Sequence, residues 1–370
     1  PSAALATDVV ELGGLADMNA TDLQKALTGK RVSLSPSIST YSESLSGSST
    51  VKDLETLLQL NYLYFTAPRR DEEAYQTLIS ILDSQLANRD KNPKVAWSDS
   101  VQMMASNYSD RTLIVNKELL TKASLDKALE VYKARFANPA DLTFFFVGNV
   151  DPADKAFQAQ VCTWLGGLKA NKKLEKAADD KVRVAMGIQK NYFTRQMETK
   201  TASNRIQYTS YDMPYTLAND LNMEMIGRIL STRYLESIRE REGGSYGVGC
   251  AGWMNRHPVP YAQLIMQFDT DPEKQEKLMN IIHEEVKTIV ENGPLAKDLQ
   301  KEKESMLKDF EENLEKNGYW TDVLSVYYKN GINYITDYKA AVEAITAETV
   351  QATLKELVEA GNVFEVVMLP

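Results

Sequence analysis

The stretch STRYLESIREREGGSYGVG, residues 231–249, is where a helical pattern gives way to a strand pattern. Tyr234, Leu235 and Ile238 recur at helical spacing, and charge gathers from Arg239 to Glu242. Gly243 and Gly244 can take the left-handed conformation that ends a helix. The segment therefore reads as a helix passing through a glycine turn into a strand. Arg239 falls in the last helical turn and Tyr246 at the start of the strand, seven positions later, so one cation and one phenol converge at one edge. By itself this geometry marks nothing, since an Arg suits a helix C-terminus and a Tyr suits a strand.

Working outward, residues 187–193 and 204–211 read as strands and residues 216–230 as a helix with Leu217, Leu221, Met225, Ile226 and Ile229 on its buried face. Beyond the stretch come strands at 246–252 and 259–268 and a helix opened by Asp271-Pro272 and stopped by Gly293-Pro294. A strongly charged helix at 295–317, helices at 320–328, 338–344 and 346–360, and a last strand, NVFEVVMLP at 362–370, complete this half.

The first half follows much the same order. Helices at 3–14 and 21–27, the second capped by Asn19 or Thr21, lead to strands at 31–37 and 41–48 and to helices at 51–65, 71–86 and 124–136. The apolar run LTFFFVGNV at 142–150 reads as a fully buried strand, and Asp151-Pro152 opens another helix before a polar linker. The expectation is an α+β chain of two homologous domains, each a mostly antiparallel sheet with helices packed on one face. Their bounds are 1–168 and 187–370, with a linker at 169–186. The second domain has two strands before its first helix and the first has none, so the first sheet should need edge members from residues upstream or from a partner strand.

At 370 residues the chain suits two cores rather than one, and 43% hydrophobic with 25% charged residues is globular composition. A net charge of −9 disfavours nucleic acid as a partner, and no long uncharged apolar run suggests a membrane span. Cys162 and Cys250 lie far apart and read as small buried hydrophobes. The opening Pro1-Ser2-Ala3-Ala4 carries no leader pattern and already lies in a helix, which reads as a fragment of something longer. It leaves the compartment open between a bacterial periplasm and cytoplasm.

The phrase YLESIREREGGSYGVG at 234–249 resembles the arginine/tyrosine segment in the C-terminal half of the pitrilysin or insulinase-type zinc metallopeptidases, the family of insulin-degrading enzyme and mitochondrial processing peptidase. The resemblance covers nearly the whole chain, including the duplicated domain ending in VGNVDP at 147–152. It implies a LuxS/MPP-like metallopeptidase fold and peptide hydrolysis in a closed chamber, with zinc held by an N-terminal half or subunit. It also implies that Arg239 binds a substrate carbonyl or orients Tyr246, and that Tyr246 donates to the peptide oxygen on which negative charge grows. The implied partners are the metal-bearing half and a peptide, whose strand adds to a sheet edge. The rival reading is a noncatalytic structural or assembly subunit of the same fold. Having both Arg239 and Tyr246 favours the peptidase role, because a scaffold needs neither.

A zincin motif needs two His on one helix face with a carboxylate ligand and a catalytic Glu. The chain has two histidines in all: His257 precedes Pro258 in a turn, and His283 lies in IIHEEVK without a second His at ligand spacing. Where the family's first domain carries its metal motif, the helix here reads SAALATDVVELGG, with no His. No metal is expected in this chain, which alone should be inert as a peptidase. Gly244-Ser245-Tyr246-Gly247 lies on a helix-to-strand turn, the reverse of a nucleophile elbow, and Gly243-Gly244 lacks the Lys of a phosphate loop. The helix at 295–317 reads most simply as a solvated outer face with intrahelical ion pairs.

Overall fold

A computed structural model of the chain describes every residue except Asp90, Lys172, Lys173, Ala177, Gly244 and Tyr246. The described residues form two compact units, one of residues 1–91 with 113–178 and one of residues 92–112 with 179–370.

The first unit is mainly helical. Helix α1 (Ala6–Gly13) stops at Gly14, whose φ is +85° and where a Cβ would lie 2.2 Å from Met18 O, so only glycine fits. Asn19 rather than Thr21 caps α2 (Ala20–Ala26), its Oδ1 accepting the Asp22 N–H at 2.9 Å. Strands β1 (Val32–Ile38) and β2 (Glu43–Ser49) pair antiparallel with Val32 opposite Ser49. Asp53 fastens this hairpin to α3 (Leu54–Thr66) by accepting from the Arg31 N–H at 3.0 Å and Thr50 Oγ1 at 2.8 Å.

Helix α4 (Glu72–Arg89) follows; α5 (Pro93–Ala105) belongs to the second unit; α6 (Lys117–Thr121) and α7 (Leu125–Arg135) return to the first. Val9, Val10, Leu15, Leu60, Tyr64, Leu129, Tyr132 and Phe136 form the core, within which Tyr132 donates to Tyr64 O at 3.2 Å. Residues 142–150, expected as a buried strand, have no regular secondary structure, and Phe144 among them is exposed. Among the described residues no strand of this unit runs alongside them, and apolar β-formers without a neighbour to pair with make no ladder. Asp154, not Asp151, caps the next helix, α8 (Lys155–Trp164).

The second unit is built on a five-stranded sheet in the order β3-β7-β4-β6-β5, among the described residues. The strands are β3 (Ile188–Thr194), β4 (Ala202–Ser210), β5 (Gly249–Asn255), β6 (Tyr261–Thr270) and β7 (Asn362–Leu369). Only the β3–β7 pairing is parallel among these, so the sheet is mostly antiparallel as the sequence suggested. One face presents Ile206, Tyr208, Leu264, Met266 and Val367 to α9 (Leu217–Tyr234), α10 (Gln275–Asn292) and α14 (Ala347–Glu359), with α11 (Ala296–Asn313), α12 (Asn317–Asn330) and α13 (Tyr338–Glu343) outside them.

Two features differ from expectation. Helix α5 lies against the other face, Trp97 and Met104 packing on Phe364, Val366 and Met368, the residues of β7 that alternate with its helix-facing ones. Helix α11 is less solvated than its charge suggested. Met306 and Phe310 are buried, Glu302 accepts from Thr232 at 2.9 Å and Asp309 pairs with Arg228 at 2.9 Å, so part of its charge bridges to α9. No helix among the described residues is long and apolar enough to cross a membrane.

Candidate functional site

Helix α9 does not stop where its α-helical hydrogen bonding ends. It continues into a π-helical turn, Leu235–Glu240, in which the Arg241 N–H bonds back to Glu236 O at 3.2 Å. Ser237 Oγ donates to Arg233 O at 2.8 Å, a side-chain bond of the kind that bends helices. Single π turns of this sort recur at functional sites. Ile238 is completely buried, which turns the next side chain, Arg239, outward into solvent. Among the described residues no carboxylate pairs with Arg239. Gly243, at φ +54°, then bonds its N–H to Arg239 O at 3.2 Å and closes the turn. Tyr246, the second residue expected at this site, lies outside the described residues, as does Gly244.

The turn is held from beneath by Arg233. Its Nε lies 3.1 Å from Glu285 on α10 and its Nη1 3.1 Å from Glu236, which Lys297 of α11 also approaches at 3.4 Å. Sequence spacing could not have shown this clamp, because Glu285 meets Arg233, and Lys297 meets Glu236, only through tertiary packing.

Helix α9 and edge strand β5 approach unusually closely, because Gly227 faces Gly252: a Cβ on Gly227 would lie 2.5 Å from Gly252 N, and one on Gly252 2.1 Å from Met223 O. Asp220 accepts the Met254 N–H at 2.7 Å and Ser231 donates to Cys250 O at 3.1 Å along the same seam. The helix bearing Arg239 and the strand that follows position 246 are thus one rigid pair.

The loop between them is tied to the end of β6. Ser245 Oγ donates to Asp269 O at 2.7 Å and accepts the Gly247 N–H at 3.3 Å. The Asp269 carboxylate takes Lys94 of α5 at 2.6 Å, and Lys94 donates also to Ser203 Oγ at 2.8 Å. Arg239, the loop and this ion pair therefore share one end of the sheet. The site's helix and strand were legible; Lys94, far away in sequence, was not.

Neither histidine offers a metal site. His257 sits in the β5–β6 loop, and His283 uses both ring nitrogens, Nδ1 2.9 Å from Tyr208 Oη and Nε2 3.0 Å from Glu365 Oε1. Glu365 is 3% exposed and also accepts from Lys190 at 3.0 Å and from the Tyr192 hydroxyl. Burial works to raise its pKa, but the bonds from His283, Tyr192 and Lys190 outweigh that and hold the carboxyl down at about 2. Among the described residues no group of three or more His, Cys, Asp or Glu is placed to hold a metal ion.

The second unit is thus a mostly antiparallel sheet with α9, α10 and α14 over one face and an exposed arginine at the end of the helix that lies against its edge strand. Residues 122–306, half of the chain, match the family described as Peptidase M16 inactive domain, and the chain belongs to that family. This is the pitrilysin/insulinase type that residues 234–249 resemble. The chain is 23% identical over 376 positions to "Zinc protease PQQL-like" of Arabidopsis thaliana, covering 93% of this chain and 38% of that protein. It is 22% identical over 380 positions to "Probable zinc protease PqqL" of Escherichia coli (strain K12), covering 99% of this chain and 39% of that one. The crystal structure of the periplasmic protease PqqL from Escherichia coli is similar over 100% of this chain and 41% of its own, with a TM-score of 0.86 at 18% identity. The chain thus spans about two fifths of the length of these relatives.

Proposed function

We propose that this chain is the substrate-clamping C-terminal half, or noncatalytic subunit, of a zinc-dependent metalloendopeptidase that degrades peptides in a closed chamber. The metal chemistry belongs to an N-terminal half, and this chain alone is inert. The observation that carries the reading is Arg239, exposed and without a carboxylate partner among the described residues, carried on a π-helical turn seven residues before Tyr246. The relatives named as zinc proteases, of which this chain spans two fifths, support a metal-bearing remainder. Within the assembly Tyr246 donates a hydrogen bond to the peptide oxygen as charge grows on it, while Arg239 holds a substrate carbonyl or Tyr246 itself.

The test is peptidase activity and zinc content of this chain alone, then with the metal-bearing half added. Activity should appear only in the mixture and be lost with a chelator. In that mixture Tyr246→Phe should lower kcat by roughly 10²-fold with less effect on peptide binding. A mixture that stays silent, or a Tyr246→Phe enzyme of unchanged rate, removes the clamp reading and leaves the scaffold.

A further inference from the structure

The face of the second unit's sheet turned away from α9, α10 and α14 is polar where α5 does not cover it. Strand β4 places Ser203, Arg205, Gln207 and Thr209 there, opposite Asp269, Gln267, Ile265 and Gln263 of β6. Gly249 of β5 lies opposite Gln267 in turn, so Arg205, Gln267 and Gly249 form one row across three strands. Gln267, Asp269, Gly249 and Ala251 are exposed, which leaves the β6–β5 side of this face accessible. Gly249 is also the first residue of β5, three positions after 246 in sequence, and two strand spacings put Arg205 about 10 Å from it.

Arg205 has no counter-ion among the described residues. Its Nη1 donates to Gln267 Oε1 at 3.2 Å and its Nη2 to Gln207 Oε1 at 3.0 Å, both neutral amide oxygens. Its Nε is buried and finds no acceptor among the described residues. The acid nearest in the ladder, Asp269, is committed to Lys94. Burial accordingly pushes the guanidinium pKa down, with no carboxylate opposing it. A half-buried cation with only neutral partners is an unfavourable arrangement that a carboxylate would complete, and the guanidinium fork matches a carboxylate better than any other side chain does.

We propose that Arg205 is a specificity-determining residue that binds a peptide carboxylate, so that the closed enzyme favours peptides with an acidic side chain or a free C-terminus lying over this row. The inference rests on the reading that peptide is held against this end of the sheet. Gln207 and Gln267 hold the fork open and orient it, and Lys94 keeps Asp269 from occupying it.

Two arms test it. In the assembled enzyme, kcat/KM is compared for peptides matched as Glu against Gln and, separately, as C-terminal acid against amide. In the isolated chain, affinity for the same fluorescent peptides is read by anisotropy, which needs no metal half. The wild type should prefer one of the two carboxylates by about tenfold, the size of a charge-assisted hydrogen bond, and the matched pair that shows the preference identifies its source. Arg205→Gln should bring that ratio to about one, and Arg205→Lys, which keeps the charge without the fork and guards against a folding defect, should fall between. Equal ratios in wild type and Arg205→Gln in both arms overturn the proposal while leaving the clamp reading intact. A silent assembled enzyme with carboxylate preference still present in the anisotropy arm sinks the clamp reading instead.

Discussion

Replacing Gly252 with Ala tests whether the close approach of α9 and β5 places the candidate site. The new Cβ would sit 2.1 Å from Met223 O, about 1.3 Å short of the 3.4 Å at which ordinary contact begins. The obstruction is backbone, so no rotamer change relieves it, and the neighbouring Gly227 already lies against Gly252 N and cannot recede. Helix and strand must part by about 1 Å, loosening Met223, Ile226, Leu230 and Met254 and stretching the Asp220–Met254 and Ser231–Cys250 bonds. Overpacking of this kind costs about 1–3 kcal/mol, and a clash with backbone on both sides belongs at the upper end, about 3 kcal/mol.

The assay is urea unfolding, read as a lower midpoint at unchanged slope. Gly249→Ala is the control in the same strand: its Cβ would meet Gln267 O at 3.7 Å, an ordinary contact, so its stability should stay within about 0.5 kcal/mol. Because Arg239 hangs from α9 and position 246 precedes β5, a shift of about 1 Å should also lower turnover of the assembled enzyme by up to about 10²-fold. Gly252→Ala with wild-type stability, or Gly249→Ala equally damaged, would refute the reasoning.

Glu365, held at about 2 against an ordinary 4.5, contributes about 3 kcal/mol that is fully present above pH 4.5 and lost as pH falls towards 2. Urea unfolding of Glu365→Gln against wild type should therefore show a gap of that size at pH 7 that closes by pH 2; a gap independent of pH contradicts the assignment. Trp97→Ala, which strips α5 of its anchor on Phe364, Val366 and Met368, should cost at least about 3 kcal/mol, whereas Trp97→Phe, which keeps the ring and removes a buried N–H lacking a protein acceptor among the described residues, should cost under about 1.5 kcal/mol. Equal losses for the two in a chemical melt would show that α5 is not held by that packing.

Periodicity and capping are local, and what they encode was legible. The buried face of α9, the stop of α10 at Gly293 and the cap of α2 by Asn19, one of the two residues expected there, follow from a few neighbouring residues each. What needs a distant partner was not. The run at 142–150 has the composition of a buried strand, yet pairing is a property of two segments, and the described part of its unit supplies no second one. Helix α5 carried local signals, Asn92 before Pro93 and Trp97, Val101 and Met104 at helical spacing, but nothing nearby says that it lies on β7. At the site, the helix bearing Arg239 was read correctly and its π-helical end was not, because that end depends on Ser237 bonding backwards and on Arg233 reaching Glu285. Gly227 and Gly252 looked like unremarked helix and strand residues until the two backbones met.

The pairing of charges separates support from function in the second unit. Glu365 is buried among three partners, Lys190, Tyr192 and His283, and Arg233 reaches three carboxylates, as expected where the purpose is to hold the fold. Arg205 and Arg239 have no carboxylate among the described residues. The chain is not short of acids, with 51 acidic side chains against 42 basic ones, so a counter-ion within reach of either arginine would have been easy to place. Arg239 is solvated and tolerates its isolation, but Arg205 is half-buried, and keeping it there unpaired lowers the stability of the free chain. Both lie at the end of the sheet where the loop meets Asp269 and Lys94 crosses from α5. Charge left uncompensated at one end of one sheet face, in a chain with counter-ions to spare, favours the proposed clamp, which would use it to receive an anionic or carbonyl-bearing peptide, over the scaffold reading, which gives it no use.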